Sequence, residues 1–240
     1  MKLLALLCCL ASLLFSGCVK GLDKTSRVPF AASEEYMNRS PASTTLFPTD
    51  EAVLGGANIE QILASKTVFP RQARLVVLPF ETPHPTWNSW SEELSEAERN
   101  LHQTALAKLR GSARVAEVSL LPSLMVPQKQ TIPYLREAAA RFQAELLLVY
   151  RARSRVYEKY RIFQREKVKS KCVVEAILLD VRTGIVPFSS QSIQEYETKR
   201  TGQDYGLYET AVRAEMRALK LGLEEVAGEL VSFLETVPAP

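Results

Sequence analysis

Histidine is almost missing from this chain: His84 and His102 are the only two in 240 residues. Neither belongs to an HExxH motif, no cysteines stand in paired spacing, and no acidic cluster is present, so a zinc site has no basis in the sequence. The G-x-S-x-G elbow and the glycine-rich phosphate loop are missing too. His102 falls within a helical pattern and reads as a surface or boundary residue, not a base. With no cofactor motif either, the chain reads as a non-enzyme. Charge of one sign is also lacking: 30 Lys and Arg face 27 Asp and Glu, a net charge of +3. Composition therefore makes no global case for a polyanion partner. No apolar run reaches the roughly 20 residues that a membrane-spanning helix needs.

The apolar run that does occur is at the start. Lys2 supplies a positive charge, and Leu3 to Phe15 carries none. This is the length of a signal-peptide core. It ends in Phe15-Ser16-Gly17-Cys18, small residues just before a cysteine, which resembles the bacterial lipobox. That resemblance implies acylation of Cys18, removal of residues 1–17, and Cys18 as the new amino terminus. Each buried methylene adds about 0.8 kcal/mol of membrane affinity, and several chains together make attachment effectively permanent. Val19 stands where inner-membrane lipoproteins of Gram-negative bacteria usually carry Asp, so the implied destination is the outer membrane, with the body in the periplasm. Cys8 and Cys9 leave with the signal peptide. Cys172 then remains alone, excluding an intramolecular disulfide in a compartment that would permit one. Its apolar surroundings, "CVVEAILLDV", suit a buried, inert thiol.

Residues 18–48 read as a lipidated flexible tether, mixing Ser, Thr, Ala and Pro without a sustained period. Residues 49–240 are expected to form a single α/β domain. "NIEQILASK" suggests a short helix capped by Asn58. "ARLVVLPFE" reads as a buried strand, followed by a loop with Pro83, His84, Pro85, Trp87 and Trp90. Residues 91–110 carry Leu94, Ala97, Leu101, Ala105 and Leu109 at helical spacing, with Ser89 and Glu92 placed for a capping box. "ARVAEVSLL" predicts a second strand, and Thr131 a cap for a helix whose stripe is Leu135, Ala138 and Phe142. Three longer β runs follow, over 145–163, 166–181 and 185–200. An amphipathic helix closes the chain from Leu207 to Glu235, with Tyr208, Val212, Met216, Leu219, Leu223, Val226, Leu230 and Phe233 as its core-facing seam. The expected architecture is an α/β (α+β) sandwich, a mixed sheet of about five strands with helices packed on it.

"VVLPF", "FQAELLLVYRARS" and "AILLDVRTG" resemble the periplasmic domain shared by the TolB amino-terminal region, the curli-secretion lipoprotein and the lipoprotein activators of penicillin-binding proteins. In that group the same places hold a Val-Leu-Pro-Phe-like strand, an Ala-Asp-hydrophobic lead into a strand, and a hydrophobic-Asp-X-X-Thr-Gly turn. The resemblance covers residues 73–235 and implies a fold and a periplasmic setting. Asp180 and Gly184 read as turn residues, without chemistry.

The unusual feature is where the positive charge falls. Residues 151–171 contain Arg151, Arg153, Arg155, Lys159, Arg161, Arg165, Lys167, Lys169 and Lys171, against only Glu158 and Glu166. Alternate residues of a strand share a face. A hairpin turning near Gln164 to Glu166 would therefore line both rows along one solvent face. Such a face can simply keep a sheet from aggregating, but one-sided charge across strands costs stability, and a partner of negative charge would offset it. The candidate partner is a periplasmic protein or an anionic envelope component. Tyr157, Tyr160 and Phe163 interleave with the bases as in nucleic-acid binders, but export argues against nucleic acid. The other row, Ala152, Ser154, Val156, Glu158, Tyr160 and Ile162, is interrupted by Glu158, unlike the unbroken apolar face of a membrane-crossing hairpin. A subunit of a larger envelope or secretion assembly is the alternative reading.

The anchor makes the first prediction. Cys18→Ser should yield an uncleaved chain, or one released from the outer membrane. Fractionation and mass spectrometry showing wild-type location and terminus in the mutant would refute the lipoprotein reading.

Overall fold

The computed structural model describes residues 45–47, 56–65, 67–80, 92–159, 167–204 and 206–238. The signal peptide, Cys18, nearly all of the expected tether, the Pro83–Trp90 loop with Ser89 of the proposed capping box, and residues 160–166 lie outside the described residues.

Within them the chain forms α1 (Gly56–Ala64), β1 (Ala73–Pro79), α2 (Glu92–Arg99), α3 (Gln103–Arg110), β2 (Val115–Leu120), α4 (Ile132–Arg141), β3 (Leu146–Lys159), β4 (Lys167–Asp180), β5 (Phe188–Lys199) and α5 (Leu207–Thr236). The five strands make one mixed sheet in the order β2-β1-β3-β4-β5. β1 runs parallel to β2 and β3, while β3, β4 and β5 are antiparallel neighbours. The expected α+β architecture with a long C-terminal helix is what forms. No described helix is long and apolar enough to cross a membrane.

Two cores flank the sheet. The chain moves outward from β1 to β2 and back across β1 to β3. Right-handed crossovers then place the two helical connections on opposite faces. Accordingly, α2 and α3 join α5 over Leu75, Val77, Leu148 and Tyr150 on one face. On the other, α4 buries Leu135, Ala138 and Ala139 against Val76, Leu147, Val149 and Leu179. The odd and even residues of β3 part between these cores, as a period of two requires.

Several local expectations are corrected. The helix over 91–110 is two helices, because Asn100–His102 forms a turn, closed by the Gln103 amide donating to the Asn100 carbonyl at 3.1 Å. That turn keeps Leu101 in the core. α1 begins at Gly56, so Asn58 lies inside it and does not cap it. Thr131 occupies the N-cap position of α4, but its side chain makes no capping bond; Pro133 in the first turn favours the helical start instead. Tyr208 is half exposed, whereas Val212, Met216, Leu219, Leu223, Val226 and Leu230 are buried as the seam predicts. At the β4–β5 turn, Asp180 accepts from the Arg182 amide at 3.0 Å and from Thr183 Oγ1 at 2.6 Å, and Gly184 adopts φ 79°. Arg136 of α4 donates to the carbonyls of Val181 and Arg182, fastening this turn to the helix.

α5 lies unusually close to β4 at Gly222. A Cβ there would meet Val174 Cγ2 at 2.6 Å, and Val174 is fully buried. Gly222→Ala should therefore destabilise the fold by about 1–3 kcal/mol, despite the better helix propensity of alanine. Gly228→Ala would meet only the end of the Lys108 side chain, which donates to the Glu224 carbonyl at 3.1 Å and can shift to water, so the gain in helix propensity should leave stability within about 1 kcal/mol of wild type. Thermal melts of the two variants give the comparison; equal behaviour would contradict the close approach.

Candidate functional site

The β3–β4 register decides where the basic rows lie. Arg155 is opposite Lys171, Tyr157 opposite Lys169 and Lys159 opposite Lys167. Directly opposed residues of an antiparallel pair point to the same side, so the two rows do share one face. It is the face opposite α5, beyond the end of the α4 core. Arg151, Arg153 and Arg155 are part-buried, as are Lys167 and Lys169. Arg161 and Arg165 lie outside the described residues, as do Tyr160, Phe163 and the hairpin tip.

Two findings revise the picture of a uniformly basic, solvent-facing surface. Lys171 was expected on the solvent face, yet it is 1% exposed. It occupies a central strand between Arg155 of β3 and Glu195 of β5, a position crowded from both sides. The face also contains acids. Arg151 Nη2 donates to Glu175 Oε2 at 2.7 Å, and Arg153 Nη2 to Glu175 Oε1 at 3.0 Å. Lys167 reaches Glu197 and Lys169 reaches Glu195, each at 2.6 Å. In register, Lys167 faces Lys199 and Lys169 faces Glu197, so both lysines reach diagonally. Diagonal pairs remain within range of long side chains. Much of the like-charge cost expected from the sequence is thereby offset. The excess remains positive: Arg151, Arg153, Arg155, Lys167, Lys169 and Lys199 outnumber Glu175, Glu195 and Glu197 on the described part of this face.

The acids of β5 escaped the sequence reading, although the same period of two was available in "QEYETK". There Glu195, Glu197 and Lys199 alternate with Gln194, Tyr196 and Thr198. What the sequence lacked was the register joining them to β4.

Beside Arg151 the face opens into a cleft of about 550 Å³. Phe80, Val149 and Ile177 contribute apolar surface, Arg151, Glu175 and Gln191 stand at one end, and Leu46 and Phe47 form a wall. The segment 45–47, at the end of the expected tether, is held there by the Ile132 amide donating to the Leu46 carbonyl at 3.1 Å. Leu46 packs into the α4 core.

The opposite face is occupied by structural contacts. Ser190 donates to Glu229, and Ser192 to Glu225, which also accepts from Gln194 Nε2 at 2.6 Å. These bonds join β5 to α5. Asp204 accepts from Arg213, Thr210 Oγ1 and the Thr201 amide, tying the preceding loop to the start of α5. His102 Nε2 lies 2.5 Å from Tyr150 Oη, which makes this histidine a partner of a buried tyrosine. Burial pushes the Cys172 thiol up to about 11, with Ser154 opposing through a hydrogen bond. The cysteine is buried, as expected from its surroundings. Among the described residues no group of three or more His, Cys, Asp or Glu side chains is placed to hold a metal ion.

Burial alone would raise the Glu175 carboxyl, but the Arg151 hydrogen bond and the charges of Arg153 and Arg151 hold it below the usual carboxylate range. Asp204 is likewise lowered, its desolvation outweighed by the Thr201 amide, Arg213 and Thr210. A carboxyl depressed in the folded state stabilises at pH above its unfolded value and loses that contribution as pH falls through its folded value. Stability should therefore decline as pH is lowered from about 5. Glu175→Gln should cost about 1 kcal/mol at pH 7 and make the acid-side decline shallower. Melting temperatures of both proteins from pH 7 to pH 3 provide the check; parallel curves would show that Glu175 is not held this way.

No protein-family model matches the chain, and no curated protein sequence matches it. Solved structures with a similar arrangement include the PelC dodecamer of Paraburkholderia phytofirmans, at 19% identity and TM-score 0.30, covering 67% of this chain and 94% of that one. A minor lipoprotein of Acinetobacter baumannii is similar at 9% identity and TM-score 0.34, over 70% of this chain and 92% of that chain. A lipoprotein of Neisseria meningitidis is similar at 15% identity and TM-score 0.29, over 59% and 94%.

Proposed function

We propose that this chain is a non-enzymatic lipoprotein of a Gram-negative outer membrane, anchored through Cys18. Its periplasmic domain would bind an anionic protein or envelope component through the basic face of β3 and β4. The observation that carries this reading is that cations outnumber acids among the described side chains of a sheet face left uncovered by the described helices. The lipobox motif at Phe15–Cys18 supports the anchor. A periplasmic setting supplies the partners: acidic proteins, peptidoglycan and lipid headgroups.

A second reading, a structural subunit of a larger envelope or secretion assembly, is favoured by β5. It is a strand of 12 residues at the outer edge of the sheet, and such edges pair readily with another chain. A mass in light scattering that stays monomeric as concentration rises would argue against it.

The test of the binding reading replaces Arg153, Arg155, Lys167 and Lys169 together with Gln. Binding of poly-glutamate, peptidoglycan and anionic-lipid vesicles is measured for wild type and variant as salt rises. At least one probe should bind wild type, weaken with salt, and bind the variant about tenfold or more weakly, because the screening length is only about 8 Å at physiological ionic strength. The variant also loses ion pairs worth up to about 1 kcal/mol each, so its melting temperature should fall by a few degrees. Salt-insensitive binding retained by a variant that still melts cooperatively would return the face to a merely solvating role.

A further inference from the structure

The cleft and the arginine row are continuous. Val149, Arg151, Arg153 and Arg155 follow one another along a single face of β3, so the row starts inside the cleft and runs away from it. Alternate residues of a strand are about 7 Å apart, the same spacing as alternate side chains of an extended peptide. At the cleft end the surface is apolar, with Phe80, Ile177 and Phe47, and Phe47 is 70% exposed. Beyond Arg151 it is charged, with a positive excess. Its volume of about 550 Å³ lies in the range of pockets that enclose a substantial ligand, ample for an aromatic side chain and the backbone carrying it.

Resting on the basic-face reading, we infer that the partner is a protein segment in extended conformation, with an apolar anchor residue seated in the cleft and acidic residues at alternate positions along Arg151, Arg153 and Arg155. An anchor in a desolvated pocket beside a polar rim is the arrangement in which a few residues dominate binding. The apolar end supplies affinity, and the charged row supplies orientation and salt dependence.

The experiment uses the full chain and short labelled peptides, read by fluorescence anisotropy. One peptide carries Trp followed by Asp at alternate positions. A second has Gly for Trp, and a third has Asn for every Asp. The Trp-Asp peptide should bind about tenfold more tightly than either control. Rising salt should weaken both Asp peptides together and leave their ratio unchanged. Ser189→Trp tests the cleft without touching the arginines: Ser189 is exposed and directly opposite Ile177, so an indole there would cover the apolar floor. That variant should bind the Trp and Gly peptides equally while melting as wild type does. Arg155→Gln should weaken both Asp peptides and preserve their ratio.

Equal binding of the Trp-Asp and Gly-Asp peptides to wild type would overturn the anchor and leave the basic-face reading standing. Equal binding of the Trp-Asp and Trp-Asn peptides would overturn the continuous site. If poly-glutamate, peptidoglycan and anionic vesicles fail to bind as well as both Asp peptides, the basic-face reading itself falls, and this inference with it.

Discussion

The close seating of α5 on one side of the β3–β4–β5 sheet governs the arrangement of this protein. Gly222 lets the helix backbone approach Val174 without a side chain between them. Glu225 and Glu229 then reach the serines of β5. Once the even-numbered residues of β4 are committed beneath the helix, the pleat turns the odd-numbered ones to the opposite face. Cys172, Val174 and Ala176 lie in the core beneath α5, and Lys169, Val173 and Glu175 fall on the other side of the sheet. The location of the charged face thus follows from the packing of an apolar helix stripe on the far side.

That charged face is a network more than a bare row of cations. Two guanidiniums share Glu175, and two lysines reach diagonally to the acids of the edge strand. Partly solvated pairs of this kind contribute modestly one by one, but they let many cations occupy neighbouring strand positions at tolerable cost. The remaining positive excess is what a partner would meet. Beside it, the α4 core stops short of β5, and the gap is bounded by residues 45–47. An apolar cleft and a charged row therefore adjoin because the α4 core covers β1, the start of β3 and only the Ile177–Leu179 end of β4.

Residues of opposite kinds illustrate how far sequence reasoning reaches. The parity of Arg151, Arg153, Arg155, Lys167 and Lys169 follows from a period of two, and so does the burial of Cys172. The seam of α5 from Val212 to Leu230 follows from helical periodicity. The Asp180–Gly184 turn is legible because it is local, with its bonds spanning only a few residues. By contrast, the break at Asn100–His102 has no strong local breaker. It goes with tertiary contacts, Leu101 in the core and His102 at Tyr150, a residue 48 positions away.

From the sequence alone follow the mixed α+β class, most of the element order and the alternation of cations along each basic strand, because each depends on periodicity along a single segment. Register and coverage came only with the tertiary structure. These set Glu175, Glu195 and Glu197 among the cations, withdrew Lys171 from the surface and opened the cleft beside Arg151. Each of those outcomes depends on which residue of a neighbouring strand stands opposite and where a helix ends, and neither is encoded in the pattern of one strand.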